Sequence, residues 1–502
     1  METVMRRVRP IHYIAYGLTD VLGAGSMAVV AGWILFFYST FCGLSAFQAS
    51  LIFAISRLLD AVWSPLVGHI SDHIGGTWVG RKFGRRRVFL LITIPLMPSF
   101  AIMWVAGQTF WYYLATYIFF ELVYASVFVP YNTLPPEMTD DYNERSLFTG
   151  VRMICAQASA VLAGILPNLI IATVGGKDSP RTFLIMGIIF TGLFMLVLLV
   201  TYLFTWERAP SSQTTRSAKQ DSFLSGLTNL FRNIGSTMRI RAFRQHLGMY
   251  LGGYISQDIF NAAFTYFVVF VIGGSVAVAS EIIGWMYSAQ FVAVVSFVPL
   301  ILLLQPAPSF RLASILYALA ILGLAALYHV HPANLLLLLY IPMTIAGLGR
   351  GGLNVIPWNI YNYIADVDEI VTGERREGVF AGVMTFVRKM TMAVAIMAVG
   401  QILDAGGFVK GAAAQSQFTQ EVIVAVLVVG PLLLLAIGIW VSFGFKLNKA
   451  THAILVREIA RFKAGDRVPA SEEDQRLLEQ ISGWRYDQLW GKNNVARARA
   501  VG

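Results

Sequence analysis

The chain is 502 residues long, with 56% hydrophobic and 13% charged residues and a mean hydropathy of +0.64. A soluble globular protein carries about twice that share of charged residues, so the composition excludes one and favours an integral membrane protein. The formal net charge of +10 would otherwise suggest nucleic acid or an acidic partner, but its distribution along the chain indicates orientation in a membrane instead.

Twelve apolar segments follow one another, each long enough to cross a hydrocarbon core of about 30 Å as a helix. The first comes after the basic start METVMRRVRP and has no small-residue cleavage site, so we interpret it as a membrane span rather than a signal peptide. The segments cover residues 13–41, 46–70, 87–107, 110–134, 147–174, 182–206, 245–273, 282–305, 311–329, 334–365, 378–403 and 420–446.

The basic residues indicate how the spans are oriented. With the N-terminus inside, the inner segments contain 30 Lys and Arg residues, the outer loops contain 3 and the spans contain the other 5. Basic residues collect on the cytoplasmic side of membrane proteins. We therefore predict that both termini are cytoplasmic and that the protein lies in the plasma membrane, which in bacteria is the inner membrane.

A basic central loop divides the spans into two groups of six, which is typical of an alternating-access carrier. The predicted fold class is therefore all-α, with twelve transmembrane helices in two pseudo-symmetric six-helix halves. The predicted parts are an N-terminal half at 1–206, the cytoplasmic loop at 207–244, a C-terminal half at 245–446 and a cytoplasmic tail at 447–502.

Two cytoplasmic segments carry further helical patterns. Apolar residues at helical spacing from Phe223 to Ile234 predict a short helix on the membrane surface. In the tail, an amphipathic segment at 454–462, followed by Trp484 and Trp490, predicts a docked rather than a disordered segment.

Charged residues interrupt the apolar spans. Arg57 and Asp60 lie one helical turn apart in the middle of the second span, where a charge costs roughly 2.5–3.5 kcal/mol. One interpretation is an ion pair within that helix. We favour an interior cavity on which charges converge, because five other spans carry charges too. These charges are Asp20, Glu121, Asp258, Arg350 and Lys389.

Several motifs resemble those of one transporter family. They are GLTDVLGAG, SRLLDAVWSPLVGHISD, GRKFGRRR, VPYNTLPPEMTDDYNERS, and ADVDEIVTGERREG followed by TFVRKM. The order of these motifs along the chain, and the side of the membrane on which each one falls, resemble those of the glycoside–pentoside–hexuronide:cation symporters. These are the melibiose permease family of the major facilitator superfamily. The resemblance covers nearly all the spans and implies a major facilitator fold with cation-coupled sugar transport.

The resemblance implies roles for individual residues. Asp60 matches the acidic residue of the cation site, and Asp20 matches an aspartate that accepts hydrogen bonds from sugar hydroxyls. Lys389 matches a lysine near the cation site, and Thr385, one turn earlier, matches a threonine beside it. Arg152 is similar to the arginine near the start of the fifth helix.

The chain departs from the family pattern at the cation site. Sodium-coupled members carry a second aspartate four residues after the first, where this chain has Ser64, so one strong oxygen ligand is missing. We therefore predict that the coupling ion is H⁺ rather than Na⁺, carried by Asp60, with Lys389 or Arg57 adjusting its proton affinity.

The sugar site departs from the pattern as well. Phe128 replaces a sugar-binding aspartate and Asn132 replaces an aromatic residue, so a melibiose-like galactoside is not expected. Arg350, in GLGRGGLNVIPW, has a planar fork that suits the carboxylate of an acidic sugar such as a uronide. The alternative is that Arg350 neutralises Asp258 or Glu121. Polar residues on the same helix could bind substrate or join helices: Asn354, Trp358, Asn359 and Asn362.

The loops between spans contain candidate gate residues. Gly68 and Asp72 belong to the loop motif after the second span, and we predict that Asp72 pairs with a basic residue across the halves in one conformation only. Anchoring of the basic loop at the membrane is the alternative. The other gate candidates are Arg145, Asp366 and Asp368, together with Glu137, Asp140, Asp141, Glu369 and Glu374.

The sequence thus predicts a monomeric secondary transporter that couples proton movement to uptake of a glycoside or oligosaccharide, one interpretation being an acidic one. A carrier of lysophospholipids or other amphiphiles is the alternative within the same fold, because Phe128 makes the cavity more apolar. A receptor or enzyme is the alternative of another class, but no nucleophile–base constellation supports it. We expect no metal site, since the two cysteines and seven histidines lack ligand spacing. We also expect no cofactor, and no nucleic-acid partner, since the distribution of the basic residues indicates orientation in a membrane.

Overall fold

The computed structural model of the chain describes residues 8–139, 141–174, 179–207, 232, 234–374 and 376–493, whose regular secondary structure is entirely helical. Eleven of the described helices are long and apolar enough to span a membrane, and a twelfth apolar helix is shorter. In chain order the twelve are α1 Pro10–Thr40, α2 Ala46–His73, α3 Arg87–Ile102, α4 Phe110–Tyr131, α5 Tyr142–Val174, α6 Pro180–Phe204, α7 Arg241–Val271, α8 Val276–Leu304, α9 Pro306–Val330, α10 Leu335–Thr372, α11 Glu377–Ala405 and α12 Gln417–Gly444.

The predicted fold class is confirmed, with a correction at the third span. Residues 87–107 are predicted to form one apolar helix, but α3 ends at Ile102 and is interrupted by a 3-10 turn at Ile94–Leu96. Pro95 and Pro98 lack the backbone N–H that an α-helix requires, which accounts for the interruption. At α10 the opposite holds. This helix continues to Thr372, beyond the predicted end at 365, and ends where Gly373 takes the left-handed backbone conformation that glycine adopts readily.

Helices α1–α6 form one half, the N-half, and helices α7–α12 form the other, the C-half. The two halves pack against each other through α2 with α11, α5 with α8 and α1 with α7. The interior of each half is packed with apolar side chains.

The halves are in close contact at the end of the molecule where α1 passes into α2, which we name the far end. There the Asp404 carboxylate of α11 accepts hydrogen bonds from the first two backbone N–H groups of α2, at 2.8 and 3.0 Å. Gly164 of α5 and Gly284 of α8 approach so closely that a Cβ on Gly164 would lie 2.7 Å from the Gly284 Cα. Tyr266 of α7 hydrogen-bonds Ser39 of α1. The far end is therefore closed.

The tail docks at the opposite end of the molecule. It forms α13 Lys449–Lys463, which contains the predicted segment at 454–462, and α14 Glu472–Ser482. Beyond α14, the Trp490 N–H donates to the Ile370 carbonyl at 2.8 Å, near the end of α10. The predicted docking of the tail is thus confirmed. The surface helix predicted from Phe223 to Ile234 falls almost wholly outside the described residues.

Candidate functional site: charged residues between the halves

Asp60 and Lys389 form an ion pair between the halves. Asp60 of α2 is fully buried, and its Oδ2 lies 2.6 Å from the Lys389 Nζ of α11. Ser64, one turn after Asp60, donates to the other carboxylate oxygen at 2.9 Å and accepts from Lys389 Nζ at 3.3 Å. The structure therefore brings together three of the four residues predicted for the cation site, and an ammonium group occupies the position beside the carboxylate.

Arg57, the fourth of these residues, has a different partner. Its guanidinium lies 3.3 Å from Glu121 of α4, and both side chains are buried within the N-half. It also donates to the Met27 sulfur of α1 and lies over the Phe53 ring at 5.0 Å. Arg57 and Asp60 thus each have an ion-pair partner on another helix, so the interpretation of a pair confined to α2 is wrong.

Asp20 lies where α1 changes from α-helix to a π-helical segment, Val21–Gly25. Its carboxylate forms an ion pair with Arg152 of α5, and Arg152 also donates to Asn132 Oδ1 at 2.7 Å. A Cβ on Gly23 would collide with the Asp20 carboxylate, so only glycine lets the carboxylate take this position. Three predicted substrate-binding residues therefore form one cluster in the N-half.

The C-half contains an ion pair of its own. Asp258 of α7 lies 2.6 Å from Arg388 of α11, and the Arg388 guanidinium lies over the Tyr254 ring at 5.2 Å. Arg388 immediately precedes Lys389, so α11 directs one cation into its own half and the next toward the N-half.

Arg350 of α10 is buried to 3% exposure, and its described hydrogen-bond partners are all neutral. Its Nε donates to Gln290 Oε1 at 3.0 Å, and its Nη1 donates to Asn261 Oδ1 at 3.0 Å and to the Tyr317 hydroxyl at 3.4 Å. Three aromatic rings lie 5.6 to 5.9 Å from its guanidinium carbon. Rings and amides stabilise a cation without cancelling its charge.

The nine charged residues described above, which lie away from the ends of the spans, form four ion pairs, and the cation of Arg350 remains outside these pairs. The four pairs are Asp60 with Lys389, Glu121 with Arg57, Asp20 with Arg152, and Asp258 with Arg388. Because both carboxylates that could neutralise Arg350 take another arginine, Arg350 has no acidic ion-pair partner among the described residues. The neutralisation proposed as the alternative for Arg350 is therefore not what the structure contains.

The other predicted substrate-binding residues contribute unequally. Trp358 is 39% exposed and donates to the Tyr254 hydroxyl at 3.1 Å, whereas Asn354 meets that hydroxyl through its backbone carbonyl. Thr385 is exposed on α11, and the Asn362 side chain lies outside the described residues. Phe128 stacks on Tyr124 at 4.5 Å between ring centroids.

Three of the gate candidates have described partners in their own half. Asp366 lies 2.7 Å from His452 of α13, and Asp368 forms a two-bond ion pair with Arg376 just before α11. Arg145 donates to the Thr139 carbonyl at 2.9 Å. Gly68 packs beside α4, and the Asp72 side chain is outside the described residues. Pairing of these residues across the halves stays a prediction.

Sequence analysis did not identify the amide side chains around Arg350 or assign a role to Arg388. Gln290 and Asn261 interrupt apolar segments, but an amide is inexpensive to bury between helices, so its presence alone carries little information. Arg388 did carry a signal, since it is a charge within a span. Its neighbour Lys389 matches the family motif, and only Lys389 was assigned a role.

Comparison with known proteins identifies the family of the chain. A sequence profile of the family described as MFS/sugar transport protein matches residues 15–449. An uncharacterized symporter of Synechocystis sp. strain PCC 6803 is 26% identical, over 79% of this chain and 86% of the relative. A glucuronide carrier protein homolog of Escherichia coli K12 is 24% identical, over 82% and 86% respectively.

A solved structure has the same architecture. It is a bacterial homolog of the human lysosomal transporter Spinster in an inward-facing, unoccupied conformation, with a TM-score of 0.60 and 15% identity. The match covers 88% of this chain and 98% of that protein. At this level of identity the likeness shows the fold alone.

Proposed function

The chain belongs to the MFS/sugar transport protein family, which confirms its resemblance to the glycoside–pentoside–hexuronide:cation symporters, and from that premise we propose that it is a proton-coupled symporter of an acidic glycoside. It works by alternating access rather than by catalysis, and it lies in the plasma membrane with both termini in the cytoplasm. The strong excess of Lys and Arg in the predicted inner segments supports that orientation.

The observation that carries the acidic substrate is the surplus cation. Arg350 retains its charge among neutral partners, and burial of an isolated charge is costly unless a counter-ion binds. A carboxylate accepts two parallel N–H bonds from a guanidinium, so a uronide matches this position in charge and in shape. The similarity to a glucuronide carrier homolog supports the same substrate class.

The ion pair between Asp60 and Lys389 supports H⁺ as the coupling ion. An ammonium group 2.6 Å from the carboxylate stands where sodium would need oxygen ligands. Protonation of Asp60 removes the negative charge that holds Lys389, so one proton weakens a bond between the halves. Proton binding and movement of the halves are thereby linked.

The proposed orientation also gives the closed far end a side of the membrane. Because we propose that the tail lies in the cytoplasm, the closed end faces outward. Asp20 and Arg152 lie in the N-half and Arg350 lies in the C-half, so Asp20 and Arg152 bind hydroxyl groups of the sugar from the half opposite Arg350.

The packing of Phe128 weighs against the amphiphile alternative. Its ring is 8% exposed and stacks on Tyr124, so it forms part of an aromatic wall rather than an open apolar surface. A lysolipid chain would need such a surface for tight binding.

Uptake by purified protein in vesicles tests the proposal. Phenyl glucuronide and phenyl glucoside differ only in the carboxylate, and each is offered with an inward proton gradient or an inward sodium gradient. We expect accumulation of the glucuronide under the proton gradient, abolished by a protonophore. Sodium-driven uptake that survives the protonophore would reject proton coupling, and equal uptake of both glycosides would reject the acidic substrate.

A further inference from the structure

Gln290 links the unpaired guanidinium to the other half of the molecule. Its Oε1 accepts from Arg350 Nε at 3.0 Å, and its Nε2 donates to Gln157 Oε1 of α5 at 3.1 Å. Gln290 is 4% exposed, whereas Gln157 is partly exposed. A chain of two hydrogen bonds therefore runs from α10 through α8 to α5, across the boundary between the halves.

The chemistry of arginine fixes which group donates and which accepts in these two hydrogen bonds. Arginine donates and never accepts, so Gln290 must turn its oxygen toward Arg350 and its NH₂ toward Gln157. Gln157 must in turn present its oxygen to Gln290, which directs its own NH₂ away from α8. Within the described part of the chain no hydrogen bond uses that NH₂ group. The guanidinium thus determines the orientation of an amide donor in the opposite half.

The two hydrogen bonds lie away from the far end. Gln157 precedes Gly164 by seven residues and Gln290 follows Gly284 by six, so the amide contact lies about 10 Å from the glycine contact along the same helix pair. The amide contact is therefore separate from the far-end closure.

We propose that Gln290 and Gln157 determine specificity for acidic substrates. Gln290 orients the Arg350 guanidinium without neutralising it, and Gln157 supplies an N–H donor to an oxygen of the same glycoside from the N-half. An acidic glycoside then bridges the two halves through groups whose orientations depend on one another. This inference rests on the proposed function, because it requires an acidic substrate at Arg350.

The replacement Gln290→Glu separates charge from shape. Glutamate is nearly isosteric and still accepts the hydrogen bond from Arg350, but it neutralises the guanidinium and has no N–H to offer Gln157. Gln157 can then donate toward the new carboxylate, which withdraws its NH₂ from the substrate. We expect the KM for phenyl glucuronide to rise roughly 10- to 100-fold, while the KM for phenyl glucoside changes less than about twofold.

The replacement Gln157→Glu tests the second residue. The new carboxylate still accepts from Gln290 Nε2, so the contact between the halves is kept, but the free N–H is lost and a negative charge faces the substrate. We expect a selective loss for the glucuronide of about 10-fold. Equal losses for the two glycosides would show that Gln157 only packs the interface and would overturn its role.

A double variant and a matched control complete the experiment. If Gln290 acts through Arg350, adding Arg350→Gln to Gln290→Glu causes little further loss of glucuronide transport. If the losses of the two single variants multiply in the double variant, the proposed action of Gln290 through Arg350 is overturned. Gln108→Glu, on the exposed loop between α3 and α4, makes the same chemical exchange away from Arg350 and should transport both glycosides as the unmodified protein does.

The outcomes distinguish this inference from the proposed function. If the unmodified protein does not prefer the glucuronide, the proposed acidic substrate is wrong, and so are the proposed roles of Gln290 and Gln157. If the unmodified protein prefers the glucuronide and Gln290→Glu keeps that preference, only the proposed roles of Gln290 and Gln157 are wrong. Melting temperatures of the variants confirm that each is folded before its transport is compared.

Discussion

The two halves carry charges of opposite sign inside the membrane. The N-half contributes three carboxylates and two cations, and the C-half contributes one carboxylate and three cations. The embedded charge is therefore −1 in the N-half and +2 in the C-half when every group is ionised. The carboxylate that is extra in the N-half is Asp60, and the cations that are extra in the C-half are Lys389 and Arg350.

Under the proposed function, this difference in charge gives the two halves separate roles. The ion pair of Asp60 with Lys389 cancels one charge of each half and attracts the halves to each other. The remaining positive charge belongs to the C-half alone, so an anion is expected to bind there and a proton in the N-half. Ion and substrate then influence each other through the boundary between the halves, which is the surface that moves in alternating access.

The largest expected effect is on stability and comes from increasing the surplus of positive charge in the C-half. Asp258→Asn leaves Arg388 buried without its carboxylate, and loss of one partner of a buried ion pair costs about 3–5 kcal/mol. We expect a large fall in melting temperature of the purified protein. Adding Arg388→Gln removes the orphaned charge and should restore much of the stability. An unchanged melting temperature in the single variant would contradict the assignment of a buried pair.

The next effect comes from removing the proposed proton site of the N-half. Each proton carried down a gradient of one pH unit supplies about 1.4 kcal/mol, so a gradient of about two units supports roughly 100-fold accumulation. Asp60→Asn is permanently neutral, and we expect accumulation to fall to equilibrium levels while exchange of substrate across the membrane continues. Accumulation by this variant would exclude Asp60 as the proton carrier.

The third effect comes from removing the surplus itself. Arg350→Gln takes away a charge-assisted hydrogen-bond donor, and we expect a 10- to 100-fold loss of kcat/KM for the glucuronide, on the order of 1.5–3 kcal/mol. Transport of the glucoside should change little. Arg350→Lys keeps the charge but not the fork, so an intermediate loss is expected. Parallel losses for both glycosides would show that Arg350 is structural.

The smallest effect concerns the far end, where an acid of the C-half meets the N-half. Asp404 accepts from the first N–H groups of α2, and a helix cap of this kind contributes about 1 kcal/mol. Asp404→Asn should therefore favour opening of the far end by about fivefold.

Ser39 offers a site to measure this opening, because it is fully buried and hydrogen-bonds Tyr266 across the halves at the far end. In a protein carrying Ser39→Cys with Cys42→Ala and Cys155→Ala, a membrane-impermeant maleimide should modify the introduced thiol faster when Asp404→Asn is present. An unchanged rate would show that Asp404 does not hold this end closed.

Much of the site was predictable because charge inside a membrane is expensive. Asp20, Asp60 and Lys389 were identified as site residues by their position in apolar segments and by the resemblance of their motifs. The structure joins Asp60 to Lys389 across the halves and Asp20 to Arg152 within the N-half. The interruption of α3 was not identified, because hydropathy does not register the missing N–H groups of Pro95 and Pro98.

The choice of partners was not predictable from the sequence. Arg57 and Asp60 are one turn apart and could have paired, yet each binds a residue on another helix. Arg350 could have paired with Glu121 or Asp258, but both carboxylates lie beside other arginines. These outcomes depend on how each helix is rotated about its axis, and apolar segments facing both lipid and protein carry little information about rotation.

The sequence by itself determined that the chain crosses a membrane twelve times and places charges in the middle of its spans. Both properties follow from the cost of exposing polar groups to hydrocarbon, which each segment incurs independently of the others. Only the tertiary structure decided which charges cancel and which one does not. Ion pairing acts over a few ångströms between side chains on different helices, so the surplus at Arg350 exists only once all the helices are packed together.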